Sequence, residues 1–206
     1  MEKPRIITKS TPTRPSTNFE GREKELGDIK VLSKDKVVLI SGLGGIGKTE
    51  ICRKLFWDYV NNGDTEIKNI GWINLTNGIQ SFIGEFHELE NTGSNSDLIA
   101  IHINGLGDKL LLFIDNADEV KGKSKEIDWI TSLNCRMIMT SRIDIGSRTE
   151  TYTIDQLPIE ECLSLYRKNR KDNLEAPFED DRRHPRQSQR SERDYSVSHN
   201  RQQRQD

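Results

Sequence analysis

The sequence has little of what several common protein classes require. It carries only 3 cysteines in 206 residues. Cys52, Cys135 and Cys162 lie far apart with no Cys-x-x-Cys pair, so neither a disulfide framework nor a thiolate metal centre is expected, and the thiols read as reduced groups in or near a core. His87-Glu88 has no second histidine at helical spacing and His102 stands alone, which argues against a zinc site. The apolar runs have the length of strands, too short to span a bilayer. No apolar segment follows the start MEKPRIITKSTPTRPST, so no secretory leader is expected. The formal net charge is only −2, which leaves no global electrostatic case for nucleic acid or a membrane surface. No internal repeat is visible. A cytoplasmic protein is the expectation.

What is present alternates. Residues 1–17 are polar with Pro4, Pro12 and Pro15 and read as an arm or linker. Strand-like apolar runs follow in DKVVLIS (35–41), NIGWINL (69–75), KLLLFIDNADEV (109–120), CRMIMTSR (135–142) and TYTID (151–155). Between them lie segments of helical spacing at 48–60, 79–89, 96–107 and 125–133, and another at 157–170. Pro158, Glu160 and Glu161 suit the start of that last helix. Strands alternating with helices predict an α/β fold of three layers around a mainly parallel sheet of about five strands. The core domain is expected over residues 18–172. Residues 173–206 are rich in Arg, Gln and Ser without periodicity and read as a disordered polar tail.

The most informative stretch is VVLISGLGGIGKTEICRKL, residues 37–55. Gly42, four intervening residues, then Gly47-Lys48-Thr49 match the pattern of a P-loop, with a strand before it and a helix after it. Gly42, Gly44, Gly45 and Gly47 let the backbone wrap tightly and turn its N–H groups inward, with Leu43, Ile46 and Glu50 completing the loop and its exit. The helix start adds its positive end. Lys48 is expected to reach the β- and γ-phosphates and the Thr49 hydroxyl to ligate Mg²⁺. About 65 residues downstream, Asp115 ends an apolar strand, where ligands of parallel sheets bind, and is the second expected Mg²⁺ ligand. Arg142 ends the strand IMTSR and is a candidate to contact the γ-phosphate.

Six segments in order, NFEGREKELGDI, GLGGIGKTEIC, NIGWINL, KLLLFIDNADEV, CRMIMTSR and TYTIDQLPIEECLSLY, resemble the nucleotide-binding domain of NB-ARC proteins within the STAND group of P-loop signalling ATPases, bacterial members above all. The resemblance covers about residues 18–170. It implies an ATP/ADP switch in which ADP holds a resting form and ATP opens it. It places Phe19, Gly21 and Arg22 against adenine and ribose and makes Arg142 a sensor of the γ-phosphate. The family continues into a helical domain with a Gly-Leu-Pro-Leu motif and a winged-helix domain. Neither motif occurs here, so a truncated member is expected, its tail native or the product of a disrupted reading frame.

Fast ATPases of this kind place a carboxylate after the Mg²⁺ aspartate. Here that residue is Asn116, whose amide can orient water but cannot take its proton. Asp118 or Glu119 could substitute from the next turn. Slow or absent hydrolysis is therefore expected, with Asp115, Asn116, Asp118 and Arg142 as the candidate catalytic set. Two alternatives stand beside the switch: a non-switching fragment that binds full-length relatives, and an ordinary P-loop ATPase or kinase. NRKD (169–172) resembles the guanine-reading motif only loosely, with arginine in place of its lysine, so adenine is preferred. The expected partners are an adenine nucleotide with Mg²⁺ and, through the resemblance, copies of itself or full-length relatives.

Overall fold

A computed structural model describes residues 2–35, 37–86, 95–120, 124–145 and 148–173. The tail expected beyond 173 and His87 lie outside the described residues. The strands are β1 (Arg5–Ile6), β2 (Val37–Ser41), β3 (Asn69–Asn74), β4 (Leu110–Asp115), β5 (Arg136–Ser141) and β6 (Thr149–Thr153). The helices are α1 (Glu23–Leu32), α2 (Lys48–Asn62), α3 (Ile79–Gly84), α4 (Ser96–Leu106), α5 (Ser124–Thr131) and α6 (Ile159–Asn173). The six strands form one parallel sheet in the order β1-β3-β4-β5-β2-β6.

Side chains that alternate along each strand divide the core into two layers. Leu110, Leu112 and Ile114 of β4 join Leu39, Met137 and Met139 under α3, α4 and α5. Leu111 and Phe113 face the other way, joining Val38, Ile40 and Ile138 under α1 and α2. Phe56 of α2 meets the rings of Trp72 and Phe113 edge-on, at centroid distances of 6.0 and 5.7 Å. Every residue of β4 is buried, as a strand covered on both faces requires.

The expected five strands become six because the N-terminal arm is not a free linker. Arg5 and Ile6 pair in parallel with Asn69 and Ile70 at the sheet edge. Ile7 and Thr8 are buried, and the Thr8 hydroxyl accepts the N–H of Trp72 at 2.9 Å. A Cβ on Gly71 would stand 2.8 Å from Thr8 Cγ2, so only glycine lets the arm approach this closely. Two residues of pairing carry too weak an apolar pattern to be read as a strand. Beyond β1, Trp57 donates its indole N–H to the carbonyls of Pro12 and Thr13 at 3.2 Å, and the Arg14 guanidinium lies 3.6 Å over the Trp57 ring. The helix expected over 79–89 stops at Gly84, because Phe86 bridges to Thr8 of the same arm. Cys52 is buried and Cys135 partly so, whereas Cys162 is exposed on α6 rather than near a core.

Candidate nucleotide site

β2 delivers the chain to Gly42 at the carboxyl edge of the sheet, and α2 starts at Lys48. Between them Gly42, Gly45 and Gly47 all have positive φ. Gly42 is confined further, since a Cβ there would stand 2.8 Å from the carbonyl oxygen of Ile154, which follows β6. Leu43 turns outward to solvent. The Lys48 ammonium folds over the loop and donates to the carbonyls of Gly42 and Leu43 at 2.7 and 2.8 Å. Burial holds its pKa below the ordinary lysine value, the Arg142 charge adds to that, and Asp118 and Asp115 oppose it.

The strand order explains how the acids reach this loop. β4 and β2 are not neighbours, since β5 lies between them. Thr140 of β5 bridges the gap. Its hydroxyl donates to Asp115 Oδ1 at 2.5 Å and accepts the Asn116 N–H at 3.0 Å. From the other side the Thr49 hydroxyl donates to the same Asp115 oxygen at 2.9 Å. Thr49 and Asp115 are thus brought together as a hydroxyl and a carboxylate, hard oxygens that suit Mg²⁺ in partnership with phosphate and water. Among the described residues no group of three or more His, Cys, Asp or Glu side chains is placed to hold a metal by itself.

Asn116 has φ 61, a left-handed backbone that asparagine tolerates. Its side-chain Nδ2 donates to Asn74 Oδ1 at 3.1 Å. Asp118 is only 3% exposed. Its Oδ2 accepts from Arg142 Nε at 2.7 Å, and Glu119 accepts from Arg142 Nη2 at 3.0 Å. The two acids expected as substitute bases are therefore the partners of the expected sensor arginine. A cavity of about 350 Å³ runs from Gly44, Lys48 and Thr49 past Asn116 and Asp118 to Thr140 and Arg142.

A second cavity, of about 270 Å³, opens on the other side of the loop between Phe19, Ile46, Leu157 and Leu165. Gly21 and Arg22 both have positive φ and turn the chain into α1. Arg22 is 7% exposed. It spends its guanidinium on the carbonyl of Asp155 at 2.7 Å, that of Ile46 at 3.5 Å and the Glu25 carboxylate at 2.6 Å. Those bonds tie the turn to the back of the P-loop. Glu50 accepts the N–H of Ser16 at 3.2 Å and pairs with Arg53. Glu20 accepts from Ser164 at 2.9 Å and pairs with Lys168 at 3.0 Å, contacts that hold its carboxyl below the ordinary value.

Sequence reasoning assigned no role to Thr140, Asn74, Leu157 and Leu165. A polar residue closing an apolar strand was the available signal for the first two. Leu157 and Leu165 carry no signal, because their place at the cavity comes from how α6 docks.

A glycine loop between strand and helix, facing a strand-end aspartate across an intervening strand, defines a P-loop NTPase. Residues 28–172 match the family described as Novel STAND NTPase 3, nSTAND3. With that match the chain belongs to this family. No curated protein matches it. Among solved structures, AMPPCP-bound DnaA from Aquifex aeolicus is similar at 15% identity and a TM-score of 0.52, covering 79% of this chain and 56% of that one. A Walker-type ATPase of Pyrococcus abyssi is similar at 16% identity and a TM-score of 0.51, covering 81% and 63%. At those identities the likeness is one of fold, and the chain spans less than two thirds of either structure. No helix among the described residues is long and apolar enough to cross a membrane.

Proposed function

We propose that this chain is an ATP/ADP-binding domain of the NB-ARC kind that works as a nucleotide-dependent switch with slow hydrolysis. The observation that carries this reading is the placement of Arg142. It lines the same cavity as Lys48 and Thr49, yet its guanidinium is engaged by Asp118 and Glu119. A γ-phosphate competes with those two acids for the arginine and a diphosphate does not. This is the differential contact that a switch requires.

Lys48 and the inward N–H groups of the loop bind the phosphates. Thr49 and Asp115 hold Mg²⁺, which when bound neutralises phosphate charge. Thr140 keeps Asp115 aimed at that position. Phe19, Leu157 and Leu165 sandwich the adenine, and Arg22 holds their segment against Ile46. Hydrolysis is slow because Asn116 accepts no proton and Asp118 is occupied. Self-association driven by ATP and a cytoplasmic location complete the proposal.

The test is equilibrium binding of labelled ATP and ADP to the full chain, with turnover and assembly size measured for each nucleotide. Both nucleotides are expected to bind, with turnover far below the roughly 1–10³ s⁻¹ of ordinary enzymes. Turnover inside that range, abolished by Asn116→Ala, would overturn the slow-switch reading. Failure to bind either nucleotide would favour the non-switching fragment.

A further inference from the structure

Asn74 closes β3 directly opposite Asp115 in the register of the sheet. Its Oδ1 accepts three hydrogen bonds, from the Thr76 N–H at 3.1 Å, the Thr76 hydroxyl at 2.5 Å and Asn116 Nδ2 at 3.1 Å. The backbone N–H of Thr76 can only donate, so the atom of Asn74 that meets it must be the oxygen. A flipped Asn74 would set its own NH₂ against that donor. The orientation of one amide then dictates that of the other. Asn116 turns its NH₂ toward Asn74 and its carbonyl oxygen away. The backbone of Asn116 is pinned separately, by its positive φ and by its N–H bond to Thr140.

We infer that Asn74 is a positioning residue that sets the Asn116 amide with its oxygen toward the phosphate cavity, making Asn116 a hydrogen-bond acceptor for the attacking water. This rests on the reading of the site as one that binds and slowly hydrolyses ATP. In the step, the water oxygen forms a bond to the γ-phosphorus. The bond from that phosphorus to the β,γ-bridging oxygen breaks, and its electron pair leaves on ADP. The water proton passes to a γ-phosphate oxygen, since the Asn116 amide orients the water without taking the proton. Asn74 touches no reacting atom and acts only through Asn116.

The experiment measures ATP affinity and single-turnover hydrolysis in the full chain for wild type, Asn74→Ala, Asn74→Asp, Asn116→Ala and the Asn74→Ala/Asn116→Ala pair. Asn74 is exposed at a strand end, so these variants are expected to fold, and thermal melting checks that. Asn74→Ala is expected to leave ATP affinity within about twofold and to slow hydrolysis roughly ten- to a hundredfold, as misplacement of a reacting group does. Asn74→Asp keeps an acceptor oxygen and recovers part of the loss. In the Asn116→Ala background Asn74→Ala adds no further loss, because two residues that act as one unit are not additive. Multiplied losses in the double variant, undiminished turnover in Asn74→Ala, or an Asn74→Asp no better than Asn74→Ala would each overturn the inference. A wild-type chain that binds ATP with no measurable hydrolysis also overturns it while leaving the binding reading intact. A chain that binds no ATP overturns the binding reading itself.

Discussion

At the phosphate end of the site, Gly42, Lys48, Thr49, Asp115 and Thr140 all sit where a central strand stops or a core helix starts. Their neighbours are the buried residues of β2, β4 and β5. At the second cavity, Ser16 comes from the arm, Phe19 from the segment before α1, Leu157 from the segment before α6 and Leu165 from within it, fastened in part by contacts such as Glu20 to Lys168 that stand in solvent. The first set is held by the hydrophobic core and the sheet ladder, so displacing it means disturbing the fold. The second is held by the buried Arg22, by Phe19 at the edge of the core and by exposed bonds such as Glu20 to Lys168, the last of these each worth little. On the proposed reading the phosphate grip is a property of the fold, whereas recognition of the base depends on peripheral segments that can loosen separately.

The sharpest way to break this contrast is Lys48→Ala. Losing the ammonium is expected to weaken ATP and tripolyphosphate alike by roughly a hundredfold, about 2.7 kcal/mol. Calorimetric titration of both ligands reads it. A loss confined to ATP would contradict the division. The same group sets a pH dependence. In the proposed grip it is protonated Lys48 that binds phosphate, and burial lowers its pKa, so affinity is expected to be full at lower pH and to fall as pH rises through a midpoint below the ordinary 10.5.

Next in size is Gly71→Val, which forces side-chain atoms into Thr8 and Leu112. Overpacking of this kind is expected to destabilise by about 1–3 kcal/mol. Because the arm that starts at β1 leads to Ser16 and Phe19, ATP affinity should fall while tripolyphosphate affinity in the surviving folded protein holds. Thermal melting and the two titrations check both halves.

Arg142→Ala is expected to reduce the preference for ATP over ADP by about tenfold, from the loss of a charge-assisted bond, with ADP affinity unchanged. Equal losses for both nucleotides would remove the switch argument.

The smallest effect belongs to Glu20→Ala. Cutting an exposed, solvent-screened link to α6 should weaken ATP by about threefold and leave tripolyphosphate untouched. Its carboxyl is held below the ordinary 4.5 by Lys168 and Ser164. That link is therefore present above the ordinary value and lost as pH falls through the depressed one, and competition titrations at acid pH read the change.

Legibility in the sequence followed the same division. GLGGIGKT and LLLFID could be read because a phosphate loop needs glycines and a lysine at set spacing, and a covered parallel strand needs an unbroken apolar run. The helices of α2 and α4 were legible from their period. The arm was read as a linker because β1 has two residues and the arm's anchors, Gly71, Trp72 and Trp57, lie far from it in sequence. Arg142 could be nominated from its strand end, but its pairing with Asp118 and Glu119 could not. That pairing depends on β5 lying beside β4.

By itself the sequence determined the layered α/β class, the phosphate loop and its aspartate, since these depend on local chemistry: conformational freedom at glycine, alternation along a strand, and a charge at a set offset. Only the tertiary structure decided that β5 separates β2 from β4, that Thr140 joins Asp115 to the Asn116 backbone, and that Asn74 turns the Asn116 amide. Those are contacts between residues 24 to 42 positions apart. Strand order sets which polar ends become neighbours, and strand order is settled by how all the apolar faces pack at once.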